Sequence, residues 1–510
     1  MVKSLIWLIL VVIAAVIIGA FIWVQDANQF KPDIEALIAE HSDAGLKING
    51  DLSWQLWPPL TLNVEDIVAT QPDRDISAGR LDLKVDLSAM WQDVNAWKVT
   101  SLILQDVAIV DDTATTHIDQ FTLSNFRPGE PAPFSIDILQ TYADSEAPMS
   151  AELVGELTYY PPSESAKNKT LRRLGFTDTQ VTSNLAEGVC QGDLAERLDA
   201  PNVFFDSSVD DILPIAILAN YNAVIECELS ALNLTTETFT SVALSLTNVE
   251  GQTNVHASAP DFLGGSLIAD ADIDTTSVPA RWTILPELQN VDSQRLIDWS
   301  DQSLLWIAPL ALTSTITMQG NSKSALLQSI NAQAEFDGGP GMIDVSKIKQ
   351  QLSRLALLTQ RSDQVASWPG VLNYATMTGH LSIDGLHHDL DFALDNLSIK
   401  AEGPVDYVAD GVDLLAHVTV SEPPQDSLIT INEWLMGTPI PMRCLGSTAE
   451  PKCRLDNDAA TSIVANALQR GNESGLRRKL EEKIDEDVPE EYKEAAKGIL
   501  DLLGKALERD

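Results

Sequence analysis

Residues 81–87 read LDLKVDL, and this stretch indicates the fold of most of the chain. Apolar and charged side chains alternate at every position, so one side of the segment is apolar and the other is charged. Successive side chains of a β-strand point to opposite faces of the sheet, so a period of two is typical of a half-buried strand. We therefore predict a strand whose apolar face carries Leu81, Leu83, Val85 and Leu87.

The same alternation recurs on both sides of this segment, separated by short turns rich in Asp, Gly, Asn and Pro. It predicts roughly twenty strands, mostly antiparallel, in a mainly β protein with short helices. Later strands add apolar candidates for the same face, namely Leu390, Phe392, Leu394, Val412, Leu414 and Val418. An apolar face must be covered, and few long helices are available to cover it. Two possibilities stay open, an elongated twisted sheet with an open apolar groove or a sandwich core.

The pattern divides the exported chain into four parts. Residues 25–161 and 221–456 are predicted to be β domains, with a short helix at 30–44 and another helical stretch at 345–358. Residues 162–220 lack the alternation and are predicted to be a helical or loop-like insertion. Residues 457–510 form a helical tail, in which Leu476, Leu480 and Ile484 share one helical face. This tail is predicted to dock on the chain's own sheet, and a partner-binding cap is the alternative.

An uninterrupted apolar run occupies residues 5–24. Its length matches the ~20 residues that a helix needs to cross the hydrocarbon core of a membrane, which predicts a retained transmembrane anchor. A cleaved secretory signal is the alternative, but its apolar core is usually shorter. Lys3 lies on the amino side and Asp26 on the other, so residues 1–4 are predicted to be cytoplasmic and the rest exported.

The chain is strongly acidic, with a formal net charge of −41 and a pI near 4.3. Such a chain would repel a phosphate backbone, so nucleic acid is not expected as a partner. It would also repel anionic headgroups, so any contact with lipid should use apolar surface. Solubility, or adaptation to a salty habitat, would also explain the charge.

Four cysteines are present. Cys444 and Cys453 lie close together around a turn that contains Gly446 and Pro451. Cys190 and Cys227 form the other pair by proximity. In an oxidising exported compartment these residues predict two disulfides, and buried free thiols are the alternative.

No familiar catalytic motif occurs in the sequence, neither a Gly-x-Ser-x-Gly turn, a His-Glu-x-x-His zinc motif nor a phosphate-binding loop. His387 and His388 would point to opposite faces of an extended segment, so together with Asp389 they predict a hydrated turn and no metal site. We expect no enzyme activity and no cofactor. A hydrolase with an unrecognised pair of carboxylates is the alternative.

Residues 30–67, FKPDIEALIAEHSDAGLKINGDLSWQLWPPLTLNVEDI, resemble the opening of the AsmA family of bacterial envelope proteins. Residues 262–274, 291–299, 317–348 and 437–456 are similar to the carboxy-terminal region of that family. The resemblance implies a single-pass inner-membrane protein with a periplasmic body that assists phospholipid transport and outer-membrane biogenesis through an apolar β-groove. The larger TamB-related proteins are regarded as bridge-like lipid carriers. Phospholipid, the inner membrane and outer-membrane assembly components are the implied partners. A scaffold that carries no lipid and modulates outer-membrane protein assembly is the alternative.

Overall fold

The structure is a computed structural model that describes residues 26–41, 45–55, 59–70, 75–86, 98–110, 114–142, 148–160, 173–197, 211–213, 215–300, 302, 304–346, 349, 350, 353, 369–422, 436–449 and 451–455. The apolar run at 5–24, Leu87 and the tail at 457–510 lie outside these residues. What was predicted for them stays a prediction.

The chain divides into two compact units. The first comprises Met1–Val209 and Pro214–Ala257, and the second comprises Asp210–Leu213 and Ser258–Asp510. The boundary falls within strand β13 (Gln252–Phe262).

The first unit is an antiparallel meander. Its elements are a 3-10 helix (Ala27–Phe30), α1 (Lys31–His41), β1 (Gly45–Ile48), β2 (Leu52–Gln55), β3 (Leu60–Thr70), β4 (Asp75–Asp86), β5 (Lys98–Val110), β6 (Ala114–Phe126), β7 (Ala132–Tyr142), β8 (Met149–Tyr160), β9 (Arg173–Ser183), β10 (Ala186–Glu196), α2 (Ile215–Asn220), β11 (Tyr221–Leu234) and β12 (Glu237–Val249). Both β1 and β2 pair with β3. From β3 to β12 each strand pairs with the next along the chain.

Polar side chains fasten the amino-terminal helices to the strands β1 and β2. Asn28 Oδ1 accepts a hydrogen bond from the backbone N–H of Leu52 at 2.9 Å, and Glu35 Oε1 accepts one from that of Ile48 at 2.8 Å. The Lys31 ammonium donates to the carbonyl oxygen of Gly50. Side chains therefore satisfy backbone groups that the short strands leave unpaired, and a covered strand edge is protected against pairing with another chain.

The second unit contains a larger and a smaller antiparallel sheet. Its elements are β14 (Gly265–Asp274), β15 (Arg281–Asp292), α3 (Ser293–Trp299), β16 (Trp306–Ile307), β17 (Pro309–Gln319), α4 (Lys323–Gln328), β18 (Asn331–Asp337), β19 (Gly341–Asp344), β20 (Val371–Tyr374), β21 (Met377–Asp384), β22 (His387–Leu394), β23 (Leu397–Asp406), β24 (Gly411–Val420), β25 (Ile440–Gly446) and β26 (Pro451–Leu455). The larger sheet runs β14, β15, β17, β18, β21 and then in chain order to β26. The smaller one joins β16, β19 and β20.

The mainly β architecture with short helices is confirmed, as is a helix within the predicted range 30–44. Within the predicted helical stretch 345–358, the described residues Ser346, Lys349, Gln350 and Ser353 are helical.

The prediction of a helical or loop-like insertion at 162–220 is wrong for residues 173–196, which form the hairpin β9–β10. The hairpin was not recognised in the sequence because Gly188 interrupts the apolar alternation of β10. A Cβ added at Gly188 would lie 2.6 Å from Leu229 Cα, so β11 approaches too closely for any side chain there. Because only glycine fits at this position, β10 lacks the apolar residue that would have completed its alternation.

Candidate functional site

A row of apolar residues crosses the sheet of the first unit at right angles to its strands. We call it the central row. Each member is the direct cross-strand partner of the next, from β3 to β12: Val64, Leu81, Leu104, Phe121, Ile136, Leu153, Val181, Gly188, Leu229 and Val242. Cross-strand partners lie about 4.5–5.5 Å apart on one face, so the row is a continuous apolar stripe.

A second apolar row flanks the central row on the same face, two residues further along each strand. It joins Leu62, Leu83, Leu102, Leu123 and Phe134 in register from β3 to β7. The opposite face is more polar and carries, among others, Asn63, Asp82, Thr122 and Ser135. The apolar surface of the first unit is therefore at least two residues wide.

Exposure varies systematically along the central row. Val64 is 4 % exposed at the β3 end, and Leu229 and Val242 are 5 % and 4 % exposed at the far end. Between these ends, the side chains from Leu81 to Val181 are all partly exposed. Among the described elements, β5 to β8 pack chiefly against their neighbouring strands in the sheet. The middle of the row is thus an apolar surface that the described residues leave open.

The second unit also carries a cross-strand apolar row, which is covered at its β23–β25 end, whereas Leu312, Phe336 and Phe392 are partly exposed. From β15 to β25 it joins Leu288, Leu312, Phe336, Gly379, Phe392, Ile399, Val418 and Ile440. Val418 is 2 % exposed and Ile440 is 1 % exposed. The smaller sheet contributes to the same core through Trp306 and Tyr374, whose side chains are joined by a hydrogen bond of 2.7 Å from the indole N–H to the hydroxyl.

The groove candidates predicted from the sequence fall into two groups. Leu81, Leu83 and Val85 are partly exposed in the first unit, as are Leu390, Phe392 and Leu414 in the second. In contrast, Leu394, Val412 and Val418 are at most 9 % exposed. Leu394 and Val418 lie in the core beneath the smaller sheet. The prediction that these two residues line a groove is therefore wrong.

Apart from Leu81, the residues that form the open middle of the central row were not among the groove candidates predicted from the sequence. Leu104, Phe121 and Ile136 show the same alternation as residues 81–87, and Leu153 continues it, whereas Val181 lies within residues 162–220, which lack it. The alternation locates their strands. It does not give the register that aligns them, because register depends on turns and bulges such as the one between Ile118 and Gln120.

A cleft of about 970 Å³ in the second unit has a different character. Its lining combines Leu312, Phe336 and Phe392 of the apolar row with the charged or polar residues Glu287, Glu335, Asp337, Asp391 and His380. The cleft therefore presents both apolar and acidic groups. Among the described residues, no group of three or more His, Cys, Asp or Glu side chains is arranged to hold a metal ion.

His388 is buried, so the predicted hydrated turn is wrong at this residue. Its Nδ1 lies 3.1 Å from the carbonyl oxygen of Leu386, which can only accept, so Nδ1 donates. Its Nε2 accepts from the Tyr407 hydroxyl at 2.9 Å. Burial lowers the pKa of His388, although the hydrogen bond to Leu386 opposes this shift. His387, the next residue in the strand, is exposed, as expected for opposite faces.

Both predicted disulfides are confirmed. Cys190 and Cys227 are direct cross-strand partners on β10 and β11, next to Gly188 and Leu229 of the central row. Cys444 and Cys453 are partners on β25 and β26.

Together these features define a class of protein, a β-meander protein whose apolar sheet face is open in the middle of the first unit and partly covered in the second. Residues 1–111 of the 510 match the model of the AsmA family. The match confirms the resemblance seen at residues 30–67. The resemblance of the later segments lies beyond it and stays a prediction. No curated protein and no solved structure matches the chain. In the described part of the chain, no helix combines the length and apolar character needed to cross a membrane.

Proposed function

We propose that this protein holds the acyl chains of phospholipid on the central row and so assists phospholipid transport and outer-membrane biogenesis. The observation that carries the proposal is the series of partly exposed apolar side chains from Leu81 to Val181 in direct cross-strand register. A contiguous apolar surface on a protein normally marks a binding site, because leaving it in water is unfavourable.

Acyl chains suit this surface energetically. Burial of apolar area contributes about 25 cal/mol per Å², so a tail that loses about 300 Å² of exposed surface gains about 7 kcal/mol without any polar contact. The headgroup can stay in water. Because the chain carries a formal net charge of −41, a zwitterionic phospholipid suits it better than an anionic one.

The family match and the disulfides support the proposed location. The AsmA match spans residues 1–111 and so includes the start of the central row at Val64, Leu81 and Leu104. Two disulfides fit an oxidising compartment such as the periplasm. We therefore propose that the protein lies in the bacterial inner membrane, anchored once by residues 5–24 with a cytoplasmic amino terminus, and that it has a binding role without catalysis.

A scaffold for outer-membrane protein assembly is the second candidate. It is favoured by the second unit, where the chain itself covers the β23–β25 end of the apolar row and the adjacent core residues Leu394 and Leu397 are 1 % exposed. A sheet that covers its own apolar face has no need of a lipid. The two candidates therefore differ in whether the central row contacts lipid in the cell.

Site-specific photocrosslinking of the full chain in living cells tests the proposal. Benzoylphenylalanine replaces Phe121 of the central row in one variant and Thr122, its neighbour on the opposite face of β6, in the control. Cells are grown with radioactive phosphate and irradiated, and the purified protein is analysed on a denaturing gel. We expect a phosphate-labelled protein band for the Phe121 position and none for Thr122. No label at Phe121, or equal label at both positions, would contradict lipid binding on the central row.

A further inference from the structure

We infer that the central row is a bounded site for the tails of one phospholipid, closed by protein at both ends, and not a conduit through the whole first unit. This inference rests on the proposed function, because it concerns the same surface. It adds the number of lipids that this surface holds and the two ends of the lipid-binding surface.

The first end of the row is closed by the amino-terminal helices. Ala27 is 2 % exposed and packs in one cluster with Leu52, Val64 and Ile48, and Ile34 of α1 packs against this cluster. The hydrogen bonds from the helices to β1 and β2 fix this closure in place. A lipid tail that reaches β3 therefore meets protein.

The far end closes at β10 and β11. The Cys190–Cys227 disulfide and the buried Leu229 follow the last exposed member of the row, Val181. On β12, Phe239 and Val242 are 3 % and 4 % exposed.

A short helix lies on the same face beyond this point. Asn248 is fully buried and, six residues after Val242 on β12, points to the same face. Its amide donates to the carbonyl oxygens of Leu218 at the end of α2 and of Tyr221, and its Oδ1 accepts from the Thr253 hydroxyl at 2.9 Å. A buried amide with all these partners holds α2 firmly against the sheet.

The length of the open part sets its capacity. It spans the six strands from β4 to β9, and five strand spacings of about 4.8 Å give about 24 Å. One lipid tail is about 15 Å long, half of a hydrocarbon core of about 30 Å. The open part therefore accommodates one phospholipid lying across the strands, whereas two placed end to end would need about 30 Å.

Photocrosslinking at apolar positions inside and outside the open part tests this boundary in the full chain. Benzoylphenylalanine replaces Phe121 in the open part, Leu52 (2 % exposed) at the closed first end and Phe239 (3 % exposed) at the closed far end, with radioactive phosphate as the label. We expect labelling at Phe121, and at Leu52 and Phe239 only the background of an unirradiated sample. Intact-protein mass spectrometry of the Phe121 adduct should show the mass of one phospholipid.

The outcomes separate the two proposals. Equal labelling at all three positions would show a continuous conduit and would overturn the bounded site while leaving lipid binding intact. A Phe121 adduct that carries more than one lipid would also overturn it. Absence of label at Phe121 would contradict the proposed function itself. Formation of the Cys190–Cys227 disulfide, measured by alkylation, confirms in each variant that the sheet has folded.

Discussion

The difference between the open central row and the buried core of the second unit predicts different costs for the same substitution in the two units. We compare Leu153→Ala in the central row with Leu394→Ala in the core of the second unit. Leu394 is 1 % exposed, whereas Leu153 is partly exposed. Three carbon groups at about 0.8 kcal/mol each give about 2.4 kcal/mol for a fully buried leucine. At Leu394 an unfilled cavity adds to this, for a total of about 3–4 kcal/mol.

At Leu153 water can enter the space that the side chain leaves, so the cavity contribution is absent and the cost should be at most about 2 kcal/mol. Two-state unfolding is not expected of a chain with two compact units, so hydrogen exchange read by mass spectrometry on β8 and β22 of the full chain is the suitable assay. We expect the loss in opening free energy at β22 to exceed that at β8 by about 1 kcal/mol or more. Equal losses would mean that the central row is covered as tightly as a core, and the argument for an open apolar surface would fail.

Three further predictions concern stability. Replacing both Cys190 and Cys227 by Ala releases a loop of 37 residues and should lower the free energy of unfolding of the first unit by about 4 kcal/mol in urea denaturation; an unchanged midpoint would refute this. Burial lowers the pKa of His388, so the unfolded chain takes up this proton first, and stability should be complete above about pH 6.5 and fall as the pH decreases below it. Denaturation between pH 5 and 7.5 should show a weaker fall for His388→Gln, and an identical fall would contradict it. Gly188→Ala brings a Cβ to 2.6 Å from Leu229 Cα and should destabilise the β10–β11 pair by about 1–3 kcal/mol, seen as faster amide exchange in these strands; unchanged exchange would show that the backbone adapts.

Much of the fold could be predicted because its signal is local. Alternation over seven residues at 81–87 identifies a strand without reference to the rest of the chain, and the repeated pattern indicates a sheet with one apolar face. The disulfides were also predictable, because the four cysteines form two pairs by proximity in the sequence.

The candidate site was less predictable, because its features depend on distant parts of the chain. Leu83 and Leu394 have the same alternating context in sequence, yet one is partly exposed and the other is buried. The difference arises from the smaller sheet, whose strands are short and separated by up to 26 residues, as between Asp344 and Val371. The hairpin β9–β10 was missed because close packing selects glycine at Gly188, where a strand pattern would otherwise show an apolar residue.

The order of the strands also bears on how the protein is made. From β3 to β12 every strand pairs with the strand that precedes it in the chain. A chain that emerges amino terminus first can therefore add each strand to a partner that is already in place, so strand pairing does not have to wait for the carboxy terminus. Such near-neighbour pairing keeps the loops to be closed short and limits the time for which unpaired edges are exposed to aggregation. The meander thus suits a long β protein that folds progressively as its chain emerges.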